Sequence, residues 1–500
     1  MRSIKCVSLL LSLASFGHGY QILFLAPVVS WSEFNLARTF SGVLAEAGHT
    51  VTIISMFSSQ KRVESIREIN VVTTELSKKS IFEVQGILHL FAHIKHRQET
   101  IADMMYSNKE VMEVWQNRND YHAIIAMNML NEIISPFLLD YKGAYIGYCM
   151  PGLDPLQSAH QGNRIPKSVS PFILLSYDDN MSFSERTINF AAEKLFEKYY
   201  RYSVIRPLSQ LLEKYFPNGP PLEPLYHNYS LLLINGHYTM DGPLPLLPNQ
   251  VEVGLMTAKD PKPLPQEIES FVSAAEEGVI YFSLGSLAKG TDMSIDHKEM
   301  FLEAFRQLPQ RVVWKYGGED LVLPANVATY KWLPQQDMLG HPKTILFISH
   351  CGNFGLQEAK YHGVPVLGVP ISMDQPRNAQ RMARKGYGTV LNWEEITVDT
   401  IVQSISNIIN NPVYRNRLQE VSLSLKDQKE SPAERGLWWV EYAIRNKDKG
   451  YMHYSGKKLG FFQYHLLDIF FVLTSIAILF IYLNYWIIKI MLKLLRQRVK

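Results

Sequence analysis

The chain has 500 residues, 47% hydrophobic and 19% charged. That mixture supports two to four ordinary folded domains and excludes a disordered chain, a collagen-like chain and a many-pass membrane protein. Lys and Arg exceed Asp and Glu by only 3, which leaves no footprint for nucleic acid, and three cysteines exclude a disulfide scaffold.

At the N-terminus, Arg2 and Lys5 precede an apolar run from Cys6 to Phe16, followed by Gly17, His18 and Gly19. Charge, apolar run and small residues in that order describe a secretory signal peptide over 1–19. The two remaining cysteines, Cys149 and Cys351, are read as free thiols. From Tyr20 the pattern is a strand (Gln21 to Ala26), a helix (about 32–47) and a strand (Val51 to Ser55), which is a βαβ unit. Further strands are expected at Ala123 to Ala126 and Ala144 to Tyr148, with irregular helix over 57–120 and more helix around 183–215. Two Asn-x-Ser triplets start at Asn180 and Asn228, candidate glycosylation sites if this half is lumenal.

Six prolines between Asp241 and Pro265 read as an interdomain linker, 241–265. A cleaner alternation follows. Strands are expected at Val279 to Ser283, Arg311 to Tyr316, Thr344 to Ser349, Val364 to Val369 and Gly388 to Leu391. Helices fall at about 297–307, 355–362, 376–385, 398–410 and 412–427. Short apolar runs separated by helices predict a parallel sheet covered on both faces, and two such halves enclose a cleft at the carboxyl ends of their strands. Near the C-terminus, Ile469 to Ile488 is twenty residues without charge, long enough to span a bilayer. Five basic residues and no acid follow it, so the tail 489–500 is placed in the cytosol. Without that tail the rest of the chain sums to −2.

The densest signal lies between Trp332 and Gln375. It holds Trp332, Gln335, His350, Gly352, Gly355, Glu358, Gly363, Pro365, Asp374 and Gln375 at fixed spacing, with Ser286 ending an earlier strand. This resembles the signature of the UDP-glycosyltransferases, in particular the membrane-bound animal type that includes the UDP-glucuronosyltransferases and insect UDP-glucosyltransferases. Glycines between a strand and a helix let a backbone approach a diphosphate, and the helix N-terminus favours its charge. The resemblance implies that His350 and Ser286 meet the diphosphate with Gly352 and Gly355, that Glu358 holds the ribose, that Trp332 stacks on uracil beside Gln335, and that Asp374 and Gln375 bind the sugar. Phe354 departs from relatives that place Asn there.

The resemblance also implies an α/β fold of two Rossmann-like domains facing across a cleft (GT-B type) plus one C-terminal transmembrane helix. The acceptor half is 20–240 and the donor half 266–430. A helix with Trp438, Trp439 and Tyr442 on its apolar side lies in 431–465 and packs back on the first half, and the span is 466–488. The implied reaction is inverting transfer of a hexose, glucose favoured and glucuronic acid open, from a UDP-sugar to a small lipophilic acceptor. No cofactor or metal is called for. The endoplasmic reticulum membrane with a lumenal body is favoured and the plasma membrane stays open, as does assembly with itself or with related transferases.

The family's base is a His at the start of the first helix, oriented by an acid at the end of a later strand. Here those positions read Glu33 and Met127, with Asn131 or Glu132 as alternative second members. Glu33 is either a substitute base needing no orienting acid or simply a helix-start charge. If the chemistry is lost, the alternative is a UDP-sugar-binding or lipophilic-ligand-binding protein, or a partner of active transferases. His49 is read as structural.

Overall fold

The computed structural model describes residues 19–498 apart from 60–61, 73–85, 154, 218, 220–221, 287, 289 and 448. The signal-peptide expectation, except for Gly19, lies outside the described residues.

Two parallel sheets form the body. The first comprises β1 (Gln21–Ala26), β2 (Thr50–Ser55), β3 (Ile66–Asn70), β4 (Ala123–Met127), β5 (Ala144–Cys149), β6 (Leu231–Ile234) and β7 (Gln250–Glu252), in the order β3-β2-β1-β4-β5-β6-β7. The second comprises β8 (Val279–Ser283), β9 (Arg311–Lys315), β10 (Val327–Tyr330), β11 (Thr344–Ser349), β12 (Val366–Gly368) and β13 (Gly388–Val390), ordered β10-β9-β8-β11-β12-β13. β4, β5 and β8 are buried at every residue, which is why they read as continuous apolar runs. Strand order reverses between β1 and β4 and between β8 and β11, the points where parallel α/β sheets open a crevice for ligands.

The sequence pattern misses β3, β6, β7 and β10. β7 lies inside the expected linker and pairs with β6, so the proline-rich stretch first completes the first sheet. β12 is shorter than expected because Pro365 precedes it and Pro370 follows it.

The helices used below are α1 (Trp31–Glu46), α2 (Ile87–Ser107), α3 (Gln335–Gly340), α4 (Asn353–His362), α5 (Gln375–Arg384), α6 (Pro432–Asn446) and α7 (Leu467–Arg498). α6 starts at a Ser431/Glu434 capping box with Pro432 in its first turn, then crosses back onto the first half. Its buried face is Gly436, Val440, Ala443 and Ile444. Trp439 and Tyr442 are partly buried there, whereas Trp438 is 49% exposed and stacks on Tyr442, which corrects its expected place. His49 clamps this helix: its Nδ1 accepts from Tyr20 N–H at 3.1 Å and its Nε2 donates to Glu441 Oε1 at 3.1 Å, the role read for it from sequence.

After α6, a turn at Ser455–Lys458 lies against Gly162, where a Cβ would stand 2.5 Å from the Lys457 nitrogen. Arg164 donates to the Leu459 carbonyl at 3.0 Å, and Lys457 Nζ donates to Asn228 Oδ1 at 3.1 Å. α7 is long and apolar enough to cross a membrane, with mean hydropathy 2.1 and no window residue buried in the protein. It does not stop at Ile488: the basic residues through Arg498 continue the same helix.

A Cβ on Gly436 would meet the buried Phe40 ring at 2.9 Å and Met256 at 3.2 Å. Gly436→Val is therefore expected to destabilise the protein by about 1–3 kcal/mol, read as a lower denaturation midpoint of the full chain in detergent.

Candidate active site

β8 is followed by Leu284, Gly285 and Ser286, and β11 by His350, Cys351 and Gly352, so both loops meet at the second switch point. Gly285 has φ of +88°, and a Cβ there would lie 2.4 Å from His350 Cε1. Glycine is required on both counts. A Cβ on Gly352 would likewise press on the ring, 2.5 Å from Nε2. Burial, with Lys315 adding to it, pushes His350 down to about 4, so the ring is neutral near pH 7, and its Nδ1 is buried without a partner. Ser286 follows Gly285, half exposed on the same loop. Cys351 (φ +63°) and Met373 (φ +62°) hold left-handed conformations that cost non-glycine residues energy, and both border this site.

Gly352 caps α4 with no side-chain bond, which leaves first-turn amides, Gly355's included, without intrahelical partners. A Cβ on Gly355 would meet Phe347 and Gln335 at 3.5 and 3.6 Å, so this glycine faces the contact between α3 and α4. Across that contact Gln335 Nε2 donates to Glu358 Oε2 at 2.5 Å and Gln335 Oε1 accepts from Tyr281 OH at 3.0 Å. Burial pushes Glu358 up to about 7, with Gln335 and Lys315 opposing. Trp332 sits at the mouth of this group, 66% exposed, unlike a core tryptophan.

Asp374 precedes α5, and its carboxylate accepts from Asn378 Nδ2 at 2.7 Å. Burial raises it, against Arg377 and Asn378. Gln375 is buried, and its Oε1 accepts from the amides of Ile371 and Ser372 at 2.8 and 3.2 Å. Only its amide NH2 is left for a ligand, narrower than the sequence suggests.

In the first half, the loop after β1 ends at Ser30, the N-cap of α1. Glu33 Oε2 accepts from Ser30 N–H at 2.5 Å in a capping box. The helix-start reading is thus the one the side chain adopts. Burial raises the Glu33 carboxylate, Ser30 and Arg97 lower it, and the charge of Asp374 across the cleft raises it further. Met127 is buried in the apolar core beneath the sheet end. Asn131 bonds both the N–H and the carbonyl of Val28, at 2.9 and 3.0 Å, and so braces the loop. Glu132 turns the other way, to Tyr200 OH at 2.8 Å and Gln98 at 3.3 Å. None of these three orients Glu33.

The two halves are joined through α4. Asn353 Nδ2 donates to Met150 O at 3.0 Å, Gln357 Nε2 to Asn235 O at 2.9 Å, and Leu255 N–H to Gln357 Oε1 at 3.1 Å. Phe354 packs against the core of the first half, which explains an apolar residue there.

Comparison with known proteins decides the family. Residues 34–500 match the family model described as "UDP-glucoronosyl and UDP-glucosyl transferase". The chain belongs to that family. UDP-glucosyltransferase 2 of the insect Dactylopius coccus is 32% identical over 94% of this chain and 93% of its own. UDP-glucuronosyltransferase 2B7 of Homo sapiens is 29% identical over 89% of both chains. The solved UDP-glucosyltransferase from Polygonum tinctorium capable of glucosylating indoxyl superposes with a TM-score of 0.59 at 16% identity, covering 86% of this chain and 100% of that one. The calicheamicin glycosyltransferase CalG4 gives 0.57 at 16% over 86% and 100%. The fold is GT-B, and the protein is a UDP-glycosyltransferase using glucosyl or glucuronosyl donors.

For this glycosyltransferase, sequence reading overlooked several groups. Lys315 ends β9 with Nζ 3.1 Å from the Gly285 carbonyl, and it is the cation that both His350 and Glu358 feel. A lysine at the carboxyl end of a strand in the donor half was the available signal. Tyr281 lies on the strand that leads to Ser286, yet its bond to Gln335 was not foreseen, and Arg377 and Arg97 carried no motif signal. Asn180 and Asn228 are both exposed, the latter engaged by Lys457.

Gly285→Ala is expected to displace the His350 ring, lower stability by about 1–3 kcal/mol and weaken UDP binding at least tenfold. Thermal unfolding and UDP titration measure the two effects.

Proposed function

We propose that the protein transfers glucose from UDP-glucose, with inversion, to a small lipophilic acceptor in the interdomain cleft. The observation that carries the donor choice is the pair of carboxylates at the cleft's sugar end. The charge of Asp374 already raises the proton affinity of Glu33 across the gap, and burial raises that of Asp374. The carboxylate of a glucuronosyl donor would add a third negative charge there, whereas glucose offers hydroxyls that Asp374 accepts.

In this reading the exposed Trp332 ring stacks on uracil with Gln335 beside it, and Glu358 takes the ribose hydroxyls. The diphosphate meets the α4 amides, neutral His350, Ser286 and Lys315, and the Gln375 amide donates to the sugar. Acceptor and leaving group stand on opposite sides of the anomeric carbon, so one displacement inverts it. Glu33 acts as cap and electrostatic neighbour, because its carboxylate is committed to Ser30 N–H and no acid stands behind it. The signal segment, the exposed sequons, the membrane-length α7 and its basic end support a body in the lumen of the endoplasmic reticulum with the tail in the cytosol.

Microsomes carrying the protein, incubated with 2-naphthol, are expected to use UDP-glucose at least tenfold better than UDP-glucuronate. The opposite preference overturns the donor choice. Glu33→Gln should keep kcat within about threefold, whereas Glu33→Ala costs about 1 kcal/mol of stability through the lost cap. A hundredfold fall in kcat for Glu33→Gln with unchanged UDP affinity would make Glu33 the base.

UDP binding supplies a second check. Ribose hydroxyls donate to the ionised form of Glu358, so binding draws its proton off. Affinity is then full above pH 7 and falls by up to tenfold per unit below it, since burial sets that group at about 7. In Glu358→Gln the slope disappears and affinity is lower throughout.

A further inference from the structure

The first half of the cleft holds a cation that the donor site does not use. Arg97, on α2, reaches the carboxyl ends of β1 and β2. Its Nη2 donates to the Val29 carbonyl at 2.7 Å and lies 3.2 Å from Met56 Sδ, while its Nε is buried with no hydrogen-bond partner. Among the described residues no carboxylate comes within ion-pair distance of it. Among the described residues Glu33 is the one charge it feels, and that carboxylate is turned onto the Ser30 amide. Burial disfavours the charged guanidinium, so a cation kept here without a counterion is incomplete. The Val29 carbonyl it holds lies next to the N-cap of α1, where the helix dipole also favours negative charge. Beside it stands an apolar wall: Trp31 is 48% exposed, edge-on to Phe57 at 5.4 Å and 5.5 Å from Phe34.

We infer that Arg97 binds an ionised carboxylate on the acceptor, so that the favoured acceptors are apolar carboxylic acids, seated with the apolar body on Trp31 and Phe57. This rests on the transferase reading above and explains how it proceeds with Glu33 and Met127 in place of the family's base and acid. A carboxylate oxygen already carries the attacking electron pair. It forms the bond to the anomeric carbon, the bond from that carbon to the UDP oxygen breaks, and UDP leaves with the pair. The acceptor has no proton to lose, and the product is a glycosyl ester. The guanidinium fork takes one carboxylate oxygen and leaves the other free to attack.

The test uses the full chain in microsomes, with 2-naphthoate and 2-naphthol as acceptors of matched shape and both UDP-glucose and UDP-glucuronate as donors. With the UDP-sugar held saturating at every pH, wild type is expected to glycosylate 2-naphthoate with an acceptor kcat/KM flat from pH 5.5 to 8, while transfer to 2-naphthol rises with pH as the phenol ionises. Arg97→Gln should lower kcat/KM for 2-naphthoate at least tenfold and change 2-naphthol less than threefold, with Arg97→Lys between them. Equal losses for both acceptors would make Arg97 only a brace for the β1 loop and overturn the inference. A loss confined to UDP-glucuronate, whatever the acceptor, would place Arg97 on the donor sugar and overturn it as well. Transfer to 2-naphthol but not 2-naphthoate in wild type overturns the inference alone. UDP binding with no transfer to either overturns the transferase reading beneath it. UDP titration and thermal unfolding of each variant separate all of these from misfolding, and Arg97→Lys carries the comparison if Arg97→Gln does not fold.

Discussion

The cleft depends on how α4 is docked. One face of this helix belongs to the donor half, packing beside β11 and meeting α3 through Gln335 and Glu358. Its other face is bound by backbone groups of the first half through Asn353 and Gln357, with Phe354 pressed into that half's core. The same helix presents its unpaired first-turn amides to the switch point. One rigid element therefore both ties the halves together and aims the anion-binding end, so displacement between domains is felt at once where a diphosphate would lie.

The donor end is built from groups kept close to neutral. His350 is neutral because of burial, Glu358 titrates near pH 7, and Lys315 is partly desolvated against the Gly285 carbonyl. Few full charges compete for a nucleotide there, and oriented N–H groups do much of the work. The acceptor end differs. It concentrates a carboxylate tied to a helix cap, a second carboxylate from the opposite half and an unpaired guanidinium around an aromatic wall. Reactants of different charge are thereby sorted to different ends of one groove.

The sequence made the second half more legible than the first, and the cause is physical. In the second half the strands are short apolar runs set off by Gly and Pro, and a ligand signature fixes Gly285, His350 and Gly352 at close contacts that tolerate little else. In the first half β3 reads Ile-Arg-Glu-Ile-Asn at an edge, half polar because only part of it is buried. β6 and β7 are four and three residues long, too short for periodicity to register. Glu33 was ambiguous because a carboxylate at the third position of a helix serves capping and proton transfer equally well on paper. Only the Ser30 hydrogen bond separates the two. Arg97 was invisible because nothing in the local sequence of α2 says which strand ends it reaches.

The turn at Ser455–Lys458, locked onto Gly162, Arg164 and Asn228, joins the last residues of the body directly to α7. Between Leu459 and the start of that helix only seven residues intervene, four of them in a short helical turn of their own. The body is thus joined to α7 by a stiff bracket rather than a slack tether. With α7 in a bilayer, as proposed above, that bracket would confine the body's height and tilt, so an acceptor that partitions into the lipid would approach a cleft of nearly fixed orientation. For such a molecule the search is close to two-dimensional, governed by its surface density rather than by its concentration in water.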